Sequence, residues 1–198
     1  MDIERFVVGP LLTNCYLLRV GKEAAVVDPG GLSPELEAAL GGVTLKYILL
    51  THGHFDHAEA AELLQARTGA PICYHPQEKT SFWALGRTPP PLDRELKEGD
   101  EIPLGSEKLS VWHLPGHSPG SLAFLWRAGK VALVGDVLFA GSVGRTDLPG
   151  GSWEQLERSL RRLVSLDGGW KILAGHGPET DLERERQLNP FLQGLEHA

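Results

Sequence analysis

Cysteine is scarce in this chain of 198 residues, which holds only Cys15 and Cys73. Two cysteines in a chain this long do not make a disulfide framework. Both sit in short strand-like segments, residues 14–18 and 71–74, so buried free thiols are expected. Long apolar runs are absent as well. None approaches the roughly 18 to 20 residues that span a bilayer, so no membrane partner is expected. The opening residues, Met1-Asp2-Ile3-Glu4-Arg5, show no basic region followed by an apolar core. Without such a secretory signal, the cytoplasm is the expected location. A net charge of −7 argues against a nucleic-acid partner. The densest basic patch, Arg158, Arg161 and Arg162, is flanked by acids on an expected helix and reads as a solvated face. Methionine and asparagine are also rare, at one and two residues. Heat-adapted proteins share that depletion, as does the coding bias of GC-rich genomes. No repeat, linker or low-complexity tract divides the chain, so one domain over residues 1–198 is expected.

What is present is a regular alternation of apolar runs and turn signals. Strands and turns fill residues 3–28. Ser33 caps a helix to about Leu40, with Pro34 at its first position. A buried strand over 46–50, a helix over 57–68 and a strand over 71–74 follow. Residues 77–100, with Trp83, Gly86 and Pro89-Pro90-Pro91, form the least regular segment. A loop of that length covers a site or moves, and Phe82 or Trp83 is expected to wall a substrate pocket. Strands return over 101–103, 107–113, 121–126 and 131–135, then a helix over 153–166, a strand over 170–174 and a helix over 182–188. Strands interleaved with helices in two halves fit an α/β or α+β layer protein.

The richest segment is Thr51-His52-Gly53-His54-Phe55-Asp56-His57. It gathers three imidazoles and a carboxylate, donors that suit zinc, iron and manganese. If the chain stays extended past Thr51, His52 and His54 fall on one side. Asp56 stands where a helix N-cap would stand and could serve the helix or a metal. Other apolar runs also end near a donor: Ala24–Val27 at Asp28, Leu109–Leu114 at His117, Val131–Val134 at Asp136 and Trp170–Ala174 at His176. Glycines at these ends let the backbone turn sharply and approach closely. Sites in sheet proteins gather at the carboxyl ends of strands.

Taken in order, His52-x-His54-x-Asp56-His57, His117, Asp136 and His176 resemble the metallo-β-lactamase superfamily. Val26-Val27-Asp28-Pro29-Gly30-Gly31 and Leu114-Pro115-Gly116-His117-Ser118-Pro119-Gly120-Ser121 resemble it too. Within that superfamily, Gly141–Asp147 and Ala174–Thr180 resemble the short bacterial glyoxalase II-like proteins. The resemblance implies a four-layer αβ/βα sandwich of two mixed β-sheets flanked by helices. It implies two divalent metals, zinc first and iron or manganese as alternatives. His52, His54 and His117 would hold one, Asp56, His57 and His176 the other. Asp136 would bridge them, so that Asp56 and Asp136 are the carboxylates at the catalytic centre.

The implied activity is hydrolysis of a small thioester or related acyl compound by a hydroxide shared between the metals. Full-length glyoxalase II enzymes add a C-terminal helical region that binds glutathione; this chain ends soon after His176, which leaves the acyl carrier open. Single-iron persulfide dioxygenases share the motif and the Gly-Arg-Thr-Asp segment, and are the alternative. Less favoured are a β-lactamase, since one large class has cysteine where Asp136 stands, and a metal-binding module without turnover. Arg145 either pairs with Asp147 or reaches an anionic substrate group. Asp28 either orients a ligand or caps its turn, and the turn role is expected. His113 reads as a packed or hydrogen-bonded strand residue, His75 as a turn residue and His197 as part of a disordered tail.

Overall fold

The central strands bury both of their faces, and this sets the layering. A computed structural model of the chain describes residues 1–195, so the reading of His197 lies outside the described residues. The first half contains β1 (Asp2–Val8), β2 (Thr13–Val20), β3 (Glu23–Val27), α1 (Pro34–Leu40) and β4 (Thr44–Leu49). It continues with α2 (Phe55–Ala58), α3 (Ala61–Thr68), β5 (Ile72–Tyr74), α4 (Glu78–Ala84) and β6 (Arg94–Glu95). The second half contains β7 (Glu101–Leu104), β8 (Glu107–His113), β9 (Leu122–Trp126), β10 (Val131–Gly135), β11 (Leu138–Phe139) and β12 (Ser142–Val143). It ends with α5 (Trp153–Val164), β13 (Lys171–Ala174), β14 (Thr180–Asp181) and α6 (Leu182–Leu188).

One sheet runs β1-β2-β3-β4-β5-β6 and the other β14-β13-β10-β9-β8-β7, with β11 and β12 a separate hairpin. Both sheets are mixed. The β3–β4, β4–β5, β5–β6 and β10–β13 pairs are parallel and the other pairs antiparallel. In β2, Cys15 and Leu17 face an outer apolar seam while Tyr16 and Leu18 face the seam between the sheets. In β10, Val131 and Leu133 face that middle seam while Ala132 and Val134 face the other outer one. A strand buried on both faces reads as a continuous apolar run, as these segments do. Leu36, Ala58, Leu64 and Phe82 bring helices onto the first sheet, and Leu156, Leu160, Leu163 and Leu182 bring helices onto the second. The result is the four-layer αβ/βα sandwich of two mixed sheets.

Local chemistry sets the helix ends. Ser33 Oγ accepts from Leu36 N at 3.2 Å, and Pro34 opens α1. On α5, Leu156, Leu160 and Leu163 share one face, the spacing of a helical stripe. The basic patch lies elsewhere on that helix, where Arg158, Arg161 and Arg162 pair with Glu154, Glu157 and Glu98. Cys15 and Cys73 are buried and unpaired. Among the described residues, no helix is long and apolar enough to cross a membrane.

The continuous helix expected from His57 is in fact two. Ala60 N donates to Pro29 O at 2.9 Å, and a Cβ on Gly30 would collide with the Asp56 carbonyl. The loop after β3 therefore packs into the helical path and splits it. Residues 77–100 are also more regular than expected, since they contain α4 and β6. Phe82 is a core residue that also lines a cavity of about 190 Å³ with Phe55, Glu59 and Arg87, whereas Trp83 is 60% exposed. Phe82→Ala is therefore expected to destabilise the fold by about 3–5 kcal/mol, the usual range for a buried aromatic. Trp83→Ala is expected to stay within about 0.5 kcal/mol. Denaturant unfolding of both variants measures the contrast; equal losses would contradict this division of roles.

Candidate metal centre

The site forms where the two sheets meet at the carboxyl ends of their strands. Asp28 ends β3 with φ of 53°, a left-handed backbone that Asp adopts more readily than most residues. That turn sets its carboxylate beneath the segment after β4. Asp28 Oδ1 accepts from Thr51 N, and Oδ2 accepts from Thr51 Oγ1, each at 2.7 Å. Oδ2 also accepts from His57 Nδ1 at 2.9 Å. From the second sheet, β10 ends at Gly135, where a Cβ would strike the Thr51 side chain. Leu122 N donates to Thr51 O at 2.7 Å. Beyond β13, Gly175 N donates to Gly135 O at 2.8 Å, and Asn14 Nδ2 donates to Ala174 O and Gly177 O, both at 2.9 Å. These bonds fix Asp136 and His176 opposite the His52–His57 segment.

All seven anticipated donors converge. His52 Nε2 and His117 Nε2 lie 3.1 and 2.9 Å from His54 Nδ1. His57 Nε2 lies 3.3 Å from His176 Nε2, which is 3.1 Å from Asp56 Oδ2. Between the groups, Asp136 Oδ1 is 3.5 Å from His57 Nε2, while Oδ2 is 3.6 Å from both His117 Nε2 and His176 Nε2. Among the described residues, three donor sets result: His52, His54 and His117; Asp56, His57 and His176; and His52, His57 and Asp136. Asp56 faces this cluster and not the helix end. The N-cap of α2 is His54, and Asp56 Oδ2 accepts from Thr13 Oγ1 at 2.9 Å.

Hydrogen-bond logic shows which ring nitrogens carry protons. His117 Nδ1 meets Arg145 O at 2.8 Å, and a carbonyl can only accept, so Nδ1 holds the proton. Thr51 donates its hydroxyl proton to Asp28 and so accepts from His52 Nδ1 at 3.0 Å. His57 Nδ1 donates to Asp28. In the neutral tautomers Nε2 of all three rings is a bare lone pair aimed inward. Burial, reinforced by neighbouring imidazoles, holds His52 well below its ordinary pKa and lowers His54 to about 3. Burial works against a charge on His57, but Asp136, Asp28 and Asp56 outweigh it and raise the pKa to about 9. Burial likewise opposes ionisation of Asp56, yet His176, His57 and Thr13 hold it low. The hydrogen bond that His176 donates to Asp56 raises the His176 pKa despite partial burial. A positive charge is therefore favoured beside Asp56 and Asp136, at His57 and His176, and disfavoured on His52 and His54. Asp136 Oδ1 is buried without a hydrogen-bond partner. Buried carboxylate oxygens are rarely left so, and a cation between the two groups would satisfy it. The residues present fit a metal pair.

Asp28 departs from its expected role, because its carboxylate binds Thr51 and orients His57, and no hydrogen bond from its own turn reaches that carboxylate among the described residues. Thr13 and Thr51 were not anticipated; a threonine beside a turn carries no distinctive sequence signal. Arg145 takes the ion-pair form, with Nε 2.7 Å from Asp147 Oδ1. His113 and His75 stay outside the donor sets. Their rings stack 4.4 Å apart, and His113 Nε2 donates to Pro119 O at 2.9 Å.

Gly175 has no room for a side chain. A Cβ there would press on Asp136 Oδ1 and come within 2.5 Å of His57 Cε1. Gly175→Ala is expected to lower zinc affinity by roughly 10–100-fold, the scale of disturbing a ligand's support. Competition with a chromophoric chelator measures it, and unchanged affinity would contradict the close packing.

A family model for the metallo-beta-lactamase superfamily matches residues 8–176. The chain is 38% identical to the hydroxyacylglutathione hydrolase GloC of Haemophilus influenzae, over 97% of this chain and 98% of that protein. The crystal structure of the B3 metallo-beta-lactamase BLEG-1 superposes with a TM-score of 0.89 at 35% identity, covering 98% of this chain and 100% of that one. The di-iron-bound form of TTHA1623 gives a TM-score of 0.82 at 39% identity, covering 96% and 100%. By sequence, fold and donor geometry together, the chain belongs to the metallo-β-lactamase superfamily.

Proposed function

We propose that this metal-dependent hydrolase cleaves small thioesters in the manner of a glyoxalase II. The observation that carries the reading is the pair of three-residue donor groups facing each other across Asp136. Divalent cations held there supply Lewis acidity and lower the pKa of water they bind. His52, His54 and His117 would hold one cation as neutral donors, leaving the shared Asp136 as its only charged ligand. Asp56, His57 and His176 would hold the second, with the Asp136 carboxylate available to both. The donor set suits zinc, with iron or manganese possible. Asp28 keeps His57 in the tautomer that presents Nε2.

No nucleophilic side chain is needed. Both thiols are buried, and burial pushes Cys73 up to about 12 and Cys15 higher still. His176 is the most exposed of the donors, with the Phe139 ring 6.3 Å away. That edge is our choice for the substrate's entry. We place Arg145 at the rim beside the other donor group, as an exposed cation whose charge bears on His54 and whose carbonyl meets His117. The likeness to GloC supports a thioester as substrate, and the likeness to a B3 metallo-beta-lactamase favours a β-lactam as the second reading.

His57→Ala and His176→Ala are each expected to lower thioester hydrolysis by at least roughly tenfold. Hydrolysis is expected to persist without oxygen and with zinc as the sole metal. Steady-state assays of acyl-glutathione thioesters beside a β-lactam, in air and under argon, separate the readings. Turnover of the β-lactam alone would move the substrate class. Strict dependence on iron and oxygen would replace hydrolysis with oxygenation.

A further inference from the structure

Glu78 opens α4 and is wholly buried. A buried carboxylate is costly unless its oxygens are hydrogen-bonded. Glu78 Oε2 accepts from Gly53 N at 2.6 Å. Oε1 accepts from Gly120 N at 2.5 Å and from Ser118 Oγ at 2.7 Å. Gly53 stands between His52 and His54, and Ser118 follows His117 directly. One carboxylate therefore ties together the two loops that carry His52, His54 and His117. The neighbouring glycines allow it. A Cβ on Gly53 would lie 2.8 Å from Glu78 Oε2, and one on Gly120 would lie 2.9 Å from Oε1. Side chains at either position would push the carboxylate away from the backbone it binds.

The geometry points to Glu78 as a positioning residue for one half of the centre. It holds the His52–His54 loop against the His117 loop and so sets the spacing of the three nitrogens. The other half has separate supports, Asp28 on His57 and Thr13 on Asp56. Glu78 should therefore act selectively on the His52, His54 and His117 group. This inference rests on the ligand assignment made above. Glu78→Gln is the sharp substitution, because it keeps the volume but replaces one acceptor oxygen with an NH2 donor. Whichever way the amide turns, that donor faces a backbone N–H, of Gly53 or of Gly120.

Zinc affinity is measured by chelator competition on metal-free full-length protein in two backgrounds. His176→Ala leaves the His52, His54 and His117 group intact, and His54→Ala leaves the Asp56, His57 and His176 group intact. Glu78→Gln is expected to weaken zinc by at least about tenfold in the first background and by less than about threefold in the second. A purely structural role would lower the melting temperature and both affinities alike, and that result would overturn the inference. So would undiminished zinc affinity in the first background. Zinc binding in neither background would sink the ligand assignment, and the Glu78 role with it. Ser118→Ala is measured in parallel, since it removes a single donor and leaves no N–H unmatched. It is expected to show the same asymmetry at smaller size, and it keeps the test decisive if Glu78→Gln does not fold.

Discussion

The contact on which everything else depends is the meeting of backbone and side chains at Thr51, Gly135 and Gly175. Two sheets normally stand about 10 Å apart, separated by interdigitated side chains. Here, at one end of the middle seam, glycines remove that separation and the two sheets touch directly. Thr51 is the pivot. Its N–H and hydroxyl bind Asp28 in the first sheet, and its carbonyl binds Leu122 in the second. Neither half of the chain holds a complete donor group without the other: His52 and His54 need His117, and Asp56 and His57 need His176.

That arrangement explains why so much polarity can be buried. His52, His57, His117 and Asp28 are almost fully enclosed. Each has a partner outside the donor cluster, and each partner fixes a tautomer or a carboxylate orientation. Second partners of this kind set ligand basicity and ring orientation. The two donor groups differ in what supports them: Asp28 and Thr13 hold His57 and Asp56 directly, while Thr51, Arg145 O and Glu78 of α4 hold the other group.

The donor cluster was legible because four of its seven residues are nearly contiguous and the rest end apolar runs beside glycines. The sandwich was legible because runs such as Ala24–Val27 and Val131–Val134 have no polar face to give to water. The split between α2 and α3 was hidden, since no Gly or Pro marks it. Its cause is Pro29 and Gly30, far off in sequence, packing against Ala60 and Asp56. Helix α4 was hidden because, unlike α1 and α6, which are equally short, it has no side-chain N-cap to announce it. Glu78 was hidden for a plainer reason. Between Gln77 and Lys79 it looks like any solvated surface acid, and only the approach of two distant loops gives it a buried role.

The web of bonds from Asp28, Thr13, Arg145 O and Glu78 has an entropic consequence. Ordering a side chain costs up to about 2 kcal/mol for the most flexible residue types. In this fold His52, His57, His117 and Asp56 are already ordered by such bonds, so for them that cost is met when the chain folds and not when an ion arrives. Ion capture then draws mainly on the chemistry of nitrogen and oxygen lone pairs, with little rearrangement to oppose it. A socket prepared in this way leaves the intrinsic preferences of nitrogen and oxygen donors among first-row ions in place, so selection falls to geometry and metal supply. Which metal the protein carries would then follow from which metal its surroundings supply.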